Sequence, residues 1–291
     1  MMDVKQYLKQ RHYGDIETKG FWFSVNTHED VHCLCTVTED DTVVLWHDHP
    51  EFDNVKVWDK EDNKEYTIPE RAGSLLDGAR YWFMIGRSGG KLSVHNCMTF
   101  DKPIIEKIWP KCLIPQDAWE DTFIQSKNQW QDRPKQKGCK SAHGLEAFGR
   151  LFGIKKPPIT EWKTMDAYKL HRVIEDCRIQ KQTALFLDEE AAGLKDKYGI
   201  DFTNALVIDG EYAAAGWKQE LHGALVDKEH ILKSVDFLDK TLMDLAEFIE
   251  PALPMTLKKK TGKVGRKYIA EVLLGKDIPD SLDKEGEIYK A

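Results

Sequence analysis

Two short apolar runs joined by an acidic turn constrain this chain more than any other feature. VHCLCTV (31–37) and TVVLWHD (42–48) are rich in β-branched and apolar residues. Thr38-Glu39-Asp40-Asp41 between them supplies turn-forming side chains. The pattern predicts an antiparallel hairpin. A lone hairpin is marginal in water, so further strands or a helix must cover it. LSVHN (92–96) predicts a short strand that opens into a helix at Asp101, with Pro103 in its first turn. GFWFSV (20–25) is either another strand or the loop that leads into the hairpin.

Helices are predicted over Leu75–Met84, over Thr122–Trp130 and from Ser141 onward, and Pro157 and Pro158 then break the pattern. The best helix runs from Asp166 to Leu187. There Leu170, Val173, Ile174 and Cys177 fall on one stripe, continued by the apolar stem of Lys181 and by Leu185. Strands first, then helices interleaved with a strand, suit an α/β layer architecture. After about Asp188 the strand signals vanish. Ala213–Leu221, Lys228–Phe248 and Arg266–Leu274 are expected as helices, which divides the chain into an α/β domain over 1–199 and a helical extension over 200–291.

Composition sets outer limits. Apolar residues make up 41% of the 291 residues and charged ones 31%, a foldable mixture. No run approaches the roughly 18 apolar residues of a membrane span, so no membrane partner is expected. The polar start, MMDVKQYLKQRHYG, lacks the apolar core of a signal peptide, and a cytoplasmic location is expected. A net charge of −7 argues against a protein that coats nucleic acid. It leaves room for an enzyme whose acids hold metal and whose substrate groove alone is basic, and Lys258–Lys267 is one basic run. The six cysteines form no C-x-x-C pair and are expected as buried thiols. Cys33 and Cys35, with His32, His47 and His49 near in sequence, fit no standard zinc spacing.

Three acidic segments carry the chemistry. In Asp15-Ile16-Glu17, alternate residues of a strand point to one side, so two carboxylates share a face while Ile16 turns to the core. Hard cations such as Mg²⁺ or Mn²⁺ prefer such oxygens. His95-Asn96-Cys97-Met98-Thr99-Phe100-Asp101 ends a strand and puts an acid at a helix start. His171 and Asp176 lie five positions apart, about 140° around a helix, where they can flank one groove and His171 can serve as a general base.

Asp15-Ile16-Glu17-Thr18-Lys19-Gly20 resembles the first motif, D-I-E-T-x-G, of DEDD-superfamily 3′–5′ exonucleases. Val94-His95-Asn96 through Phe100-Asp101-Lys102-Pro103 is similar to the second motif of the proofreading domain of phage-type family A DNA polymerases. Asp121-Thr122, the segment Ser141–Gly149 and the helix Leu170–Leu187 resemble later segments of those domains, in the same order, over residues 13 to about 190. The resemblance implies a ribonuclease H-like sheet flanked by helices. It also implies two Mg²⁺ or Mn²⁺ ions shared by Asp15, Glu17, Asp101 and Asp176, and a replication-associated activity on DNA, mainly single-stranded 3′ ends, in the host cytoplasm if the chain is phage-encoded. Thr18, Asn96 and Phe100 would line the terminal nucleotide's pocket.

Two departures qualify the match. Family A domains carry Tyr four residues before the last Asp, where this chain has Arg172. His171 instead sits at the H-x₄-D spacing of the histidine branch, which makes His171 the expected base and Arg172 an expected phosphate contact. Second, the residues before Asp15 are polar for a central strand. A rival register takes GFWFSV as that strand and puts Ser24 and Asn26 at the metal positions, which gives a silent module that binds DNA or a separate polymerase chain. Ile200-Asp201-Phe202-Thr203 and Ala213 through Leu253 look like the stretch that joins exonuclease to polymerase in phage family A enzymes.

Overall fold

A computed structural model describes residues 4–60, 62–159, 161–223, 225 and 227–249. A short helix α1 (Val4–Tyr7) leads into β1 (Arg11–Thr18), then the hairpin of β2 (Val31–Val37) and β3 (Val43–Trp46), and a separate hairpin of β4 (Lys56–Asp59) and β5 (Lys64–Thr67). Next come α2 (Leu75–Arg87), β6 (Lys91–Val94), α3 (Asp101–Ile108), β7 (Trp119–Asp121) and α4 (Thr122–Gln129). The helices α5 (Leu145–Phe152), α6 (Ala167–Tyr198), α7 (Thr203–His222) and α8 (Lys228–Ile249) follow. The main sheet has the order β3-β2-β1-β6-β7. β1 is antiparallel to β2 and parallel to β6, and β7 continues the parallel half. The expected mixed α/β architecture is therefore present.

β1 is the middle strand although its first half is polar, because each polar side chain there has a partner. The Arg11 guanidinium pairs with Glu120 of β7 and Asp188 of α6. His12 Nε2 lies 3.2 Å from the Tyr7 carbonyl, and burial holds its pKa below the usual imidazole value. Gly14 is required by packing: a Cβ there would sit 2.6 Å from the Trp82 ring of α2. Trp82 is anchored in turn by donating Nε1–H to Thr36 Oγ1 at 2.8 Å.

The pleat separates two cores. Ile16, Leu34, Trp46 and Trp82 meet on the α2 side. Cys33, Cys35, Leu170, Val173, Ile174 and Cys177 meet on the α6 side. In register, Asp15 opposes Cys35 and Glu17 opposes Cys33, so both acids lie on the α6 side. The α6 stripe continues through Lys181, Ala184 and Leu187, while Leu185 is exposed. The helical period turns Leu185 about 80° away from Cys177, which corrects its place in the predicted stripe. Lys181 Nζ closes the β2–β3 turn by donating to the carbonyls of Thr38 and Glu39.

GFWFSV is not a strand. Trp22–Ser24 form a 3-10 turn, Ser24 Oγ donates to the Phe21 carbonyl, and Asn26 is exposed. The rival register that took GFWFSV as the central strand is therefore corrected: the central strand is β1, which carries Asp15 and Glu17. The compact unit containing the sheet extends past residue 199 to Gly223, with Trp217 of α7 edge-on to Trp22 at 6.0 Å. α8 belongs to a second unit. The basic run Lys258–Lys267 and the helix expected over 266–274 lie outside the described residues. Among the described residues no helix is long and apolar enough to cross a membrane.

Candidate metal centre

Strand period and helix position bring three distant acids to one point. Asp15 and Glu17 project from alternate positions of β1, and Asp176 projects from the face of α6 packed on that strand. One ligand oxygen from each lies within 4.8 Å of the others. Asp15 and Glu17 are partly exposed and Asp176 is buried.

Asp101 opens α3 and is also buried. β1 and β6 run parallel, so their C-terminal ends point the same way, and the segment after β6 lies beyond Asp15. Asn96 turns that segment with φ 61°, a left-handed conformation that Asn tolerates. Asp121 then fixes it. Its Oδ1 accepts from the backbone N–H groups of Asn96 at 3.0 Å and Phe123 at 2.9 Å, and its Oδ2 accepts from Met98 N–H at 3.0 Å. One carboxylate thus caps α4 and holds the loop that presents Asp101. His95 adds a second tie through Nδ1 and Thr122 Oγ1, 3.0 Å apart, and burial pushes its pKa down to about 3. Asp101 does not join the three-acid group, but the charge of Asp15 acts on it.

The acids are held in a condition that calls for cations. Burial, then the charge of Asp176, pushes the Asp15 carboxyl up to about 7. Burial followed by Asp15 and Asp176 pushes Glu17 well above the usual carboxylate range. Burial followed by Asp15 does the same to Asp101. Asp15 and Glu17 expose some surface yet are ringed by protein, so the direction of these shifts is set by enclosure and crowded like charge. Two protein cations offset part of it. Lys156 Nζ and Arg172 Nε each approach Asp176 Oδ2 at 2.8 Å. The other oxygen of Asp176 and Oδ1 of Asp101 are buried without a hydrogen-bond partner. Orphaned carboxyl oxygens beside clustered hard donors fit a divalent cation, which would displace the protons the acids hold.

The remaining predicted residues divide. His171 is not with the acids. Its Nε2 lies 2.9 Å from Asp59 Oδ2, its Nδ1 faces Glu175 at 4.0 Å, and its ring stacks on Tyr66 at 4.2 Å. Nε2 is thus engaged by Asp59 on the β4–β5 side of α6, and the structure does not bring His171, the expected base, to the three acids. Arg172 does reach the cluster, but it holds Asp176, and its other arm donates to the Pro157 carbonyl. Thr18 is buried and donates to the Gly20 carbonyl. The Asn96 amide oxygen accepts from Thr99, and Phe100 is partly exposed at the start of α3.

Two features escaped the sequence. Lys156 was hidden because nothing in Lys155-Lys156-Pro157-Pro158 tells which lysine turns inward. Phe21 and Phe23, exposed and stacked at 5.6 Å just past β1, lie in GFWFSV, which the sequence left open between strand and loop, although an aromatic pair directly after D-I-E-T-x-G is a visible signal. The cysteines and histidines near β2 do not form a metal group among the described residues. Cys33 and Cys35 face the α6 core, and His32 Nε2 is engaged by the Trp162 carbonyl at 2.7 Å. No protein-family model and no curated protein sequence matches this chain.

Proposed function

We propose that this chain is a ribonuclease H-like 3′–5′ exonuclease of the DEDD kind, a metal-dependent hydrolase that removes nucleotides from single-stranded DNA 3′ ends in replication-associated proofreading. The observation that carries the reading is the meeting of Asp15 and Glu17 with Asp176, from opposite ends of the domain, within 4.8 Å. The sheet order, with one antiparallel hairpin beside three parallel strands, supports a ribonuclease H-like fold.

Asp15, Glu17 and Asp176 would hold Mg²⁺ or Mn²⁺, with Asp101 completing the set. When bound, such ions supply an activated water and charge stabilisation for a leaving 3′ oxygen. The chain's own groups do the rest. Phe21 and Phe23 offer exposed rings for base stacking at the end of the strand that carries Asp15 and Glu17. Phe100 offers a further apolar edge beside Asp101. Arg172 and Lys156 place positive charge where a phosphate would approach the acids. With His171 committed to Asp59, the carboxylates are the nearest proton acceptors at the cluster.

The test is a 3′-labelled single-stranded oligonucleotide with Mg²⁺ or Mn²⁺. The nuclease yields mononucleotides, and Asp15→Ala or Asp101→Ala removes activity by at least about 10³-fold with the fold intact. A wild type as inert as both variants, with either metal, leaves a silent module that binds DNA or a separate polymerase chain. An RNA oligonucleotide run in parallel reports on the 2′-hydroxyl.

A further inference from the structure

Two cations already stand against Asp176. Arg172 is fixed at both ends: Nε on Asp176 in the same helix, and the guanidinium arm on the Pro157 carbonyl. Lys156 is held differently. Its neighbour Pro157 is pinned through that carbonyl, but its own ammonium meets Asp176 from the end of a flexible stem whose side chain is 20% exposed. From there its charge acts on Asp15 and Glu17 as well. Once bound metal has displaced their protons, the four acids carry four negative charges; Lys156 and Arg172 offset two of these, and one divalent ion offsets the other two. A second ion on Asp176 would add an excess of positive charge beside the Lys156 ammonium, which already holds that carboxylate at 2.8 Å.

We propose that Lys156 keeps a cation's place beside Asp176, so that the protein alone takes one divalent ion and takes a second only when the lysine withdraws. This rests on the reading of the four acids as metal ligands. It does not require that the chain cleave nucleic acid. Lys156 is thus a positioning residue: it tunes how the acids are filled and leaves their arrangement to β1, α3 and α6.

The test is Mn²⁺ binding to the full chain, by calorimetry for stoichiometry and by electron paramagnetic resonance for a spin-coupled ion pair. Wild type should bind one ion, with any second at least about 10-fold weaker than in Lys156→Met, because that change removes a like charge adjacent to the site. Lys156→Met should bind two and show the coupled signal, and Lys156→Ala should do the same if the methionine packs poorly. Lys156→Arg keeps the charge and should behave as wild type. Lys155→Met is the neighbouring control, since Lys155 pairs with Asp62 at 3.4 Å and should not alter binding. A wild type that already binds two ions with equal affinity, or a Lys156→Met protein with unchanged stoichiometry and affinity, overturns the proposal. Asp15→Asn separates the two ideas. If it lowers Mn²⁺ affinity by about 100-fold while Lys156→Met does nothing, the acids are ligands and only the lysine's role fails. If neither wild type nor any variant binds Mn²⁺, both fall.

Discussion

At the scale of the residue, the decisive property of Asp15 is that its surroundings resist its charge. Burial and Asp176 push its carboxyl up to about 7, so at neutral pH the metal-free protein keeps it against an electrostatic penalty. An amide of the same shape removes that penalty and also removes the ligand. Asp15→Asn should therefore stabilise the metal-free protein at pH 8 by about 1–2 kcal/mol, the usual gain from relieving a functional site. The same variant should lose cleavage and most Mn²⁺ affinity. Chemical denaturation with and without chelator measures the first effect. A variant less stable than wild type would mean that Asp15 is a structural hydrogen-bonding group. Asp15 and Glu17 were legible as a pair because strand period alone puts them on one side. What no string of letters displays is enclosure, which turns two ordinary acids into a strained cluster.

At the scale of the element, the hairpin, the strand after Arg87 and the long helix were legible because each has a period that the backbone enforces. β1 was harder, since its polar start is made tolerable by Glu120 and Asp188, partners far along the chain. The small β4–β5 hairpin was missed. Its strands are four residues each, and it faces α6 through Asp59, which no local pattern announces. That hairpin also explains where the histidine lies: spacing along α6 fixes the angle of His171, and Asp59 across the gap engages its Nε2. His171→Asn should leave Mn²⁺ binding within about threefold of wild type and cost about 1–3 kcal/mol, since Asp59 is buried and loses its imidazole. Metal titration beside thermal denaturation checks both; a collapse of metal binding with normal stability would restore the catalytic role. Gly14→Ala probes the other face of β1. A Cβ 2.6 Å from Trp82 cannot be absorbed without moving α2 or the strand, so a loss of about 1–3 kcal/mol is expected.

At the scale of the whole molecule, the acids link stability to both pH and metal. Asp15, Glu17 and Asp101 all have folded-state pKa values raised above the unfolded range. The folded chain therefore binds protons that the unfolded chain has already released. The stability these groups contribute is fully present below pH of about 4 and is lost as pH rises through about 7 and beyond. Metal-free protein should show a melting temperature that falls across that window. Divalent ions compete with the same protons, so they bind weakly where the acids are protonated and tightly where they are charged. At a hundredfold excess over Kd, one bound ion adds about 2.7 kcal/mol. Mn²⁺ should then raise the melting temperature far more at pH 8 than at pH 5.5 and flatten the metal-free decline. Thermal scans at both pH values, with Mn²⁺ and with chelator, give the four numbers needed. An equal Mn²⁺ effect at both pH values would place the ion on ordinary surface carboxylates, because only a site built from proton-holding acids makes metal and proton exclude one another.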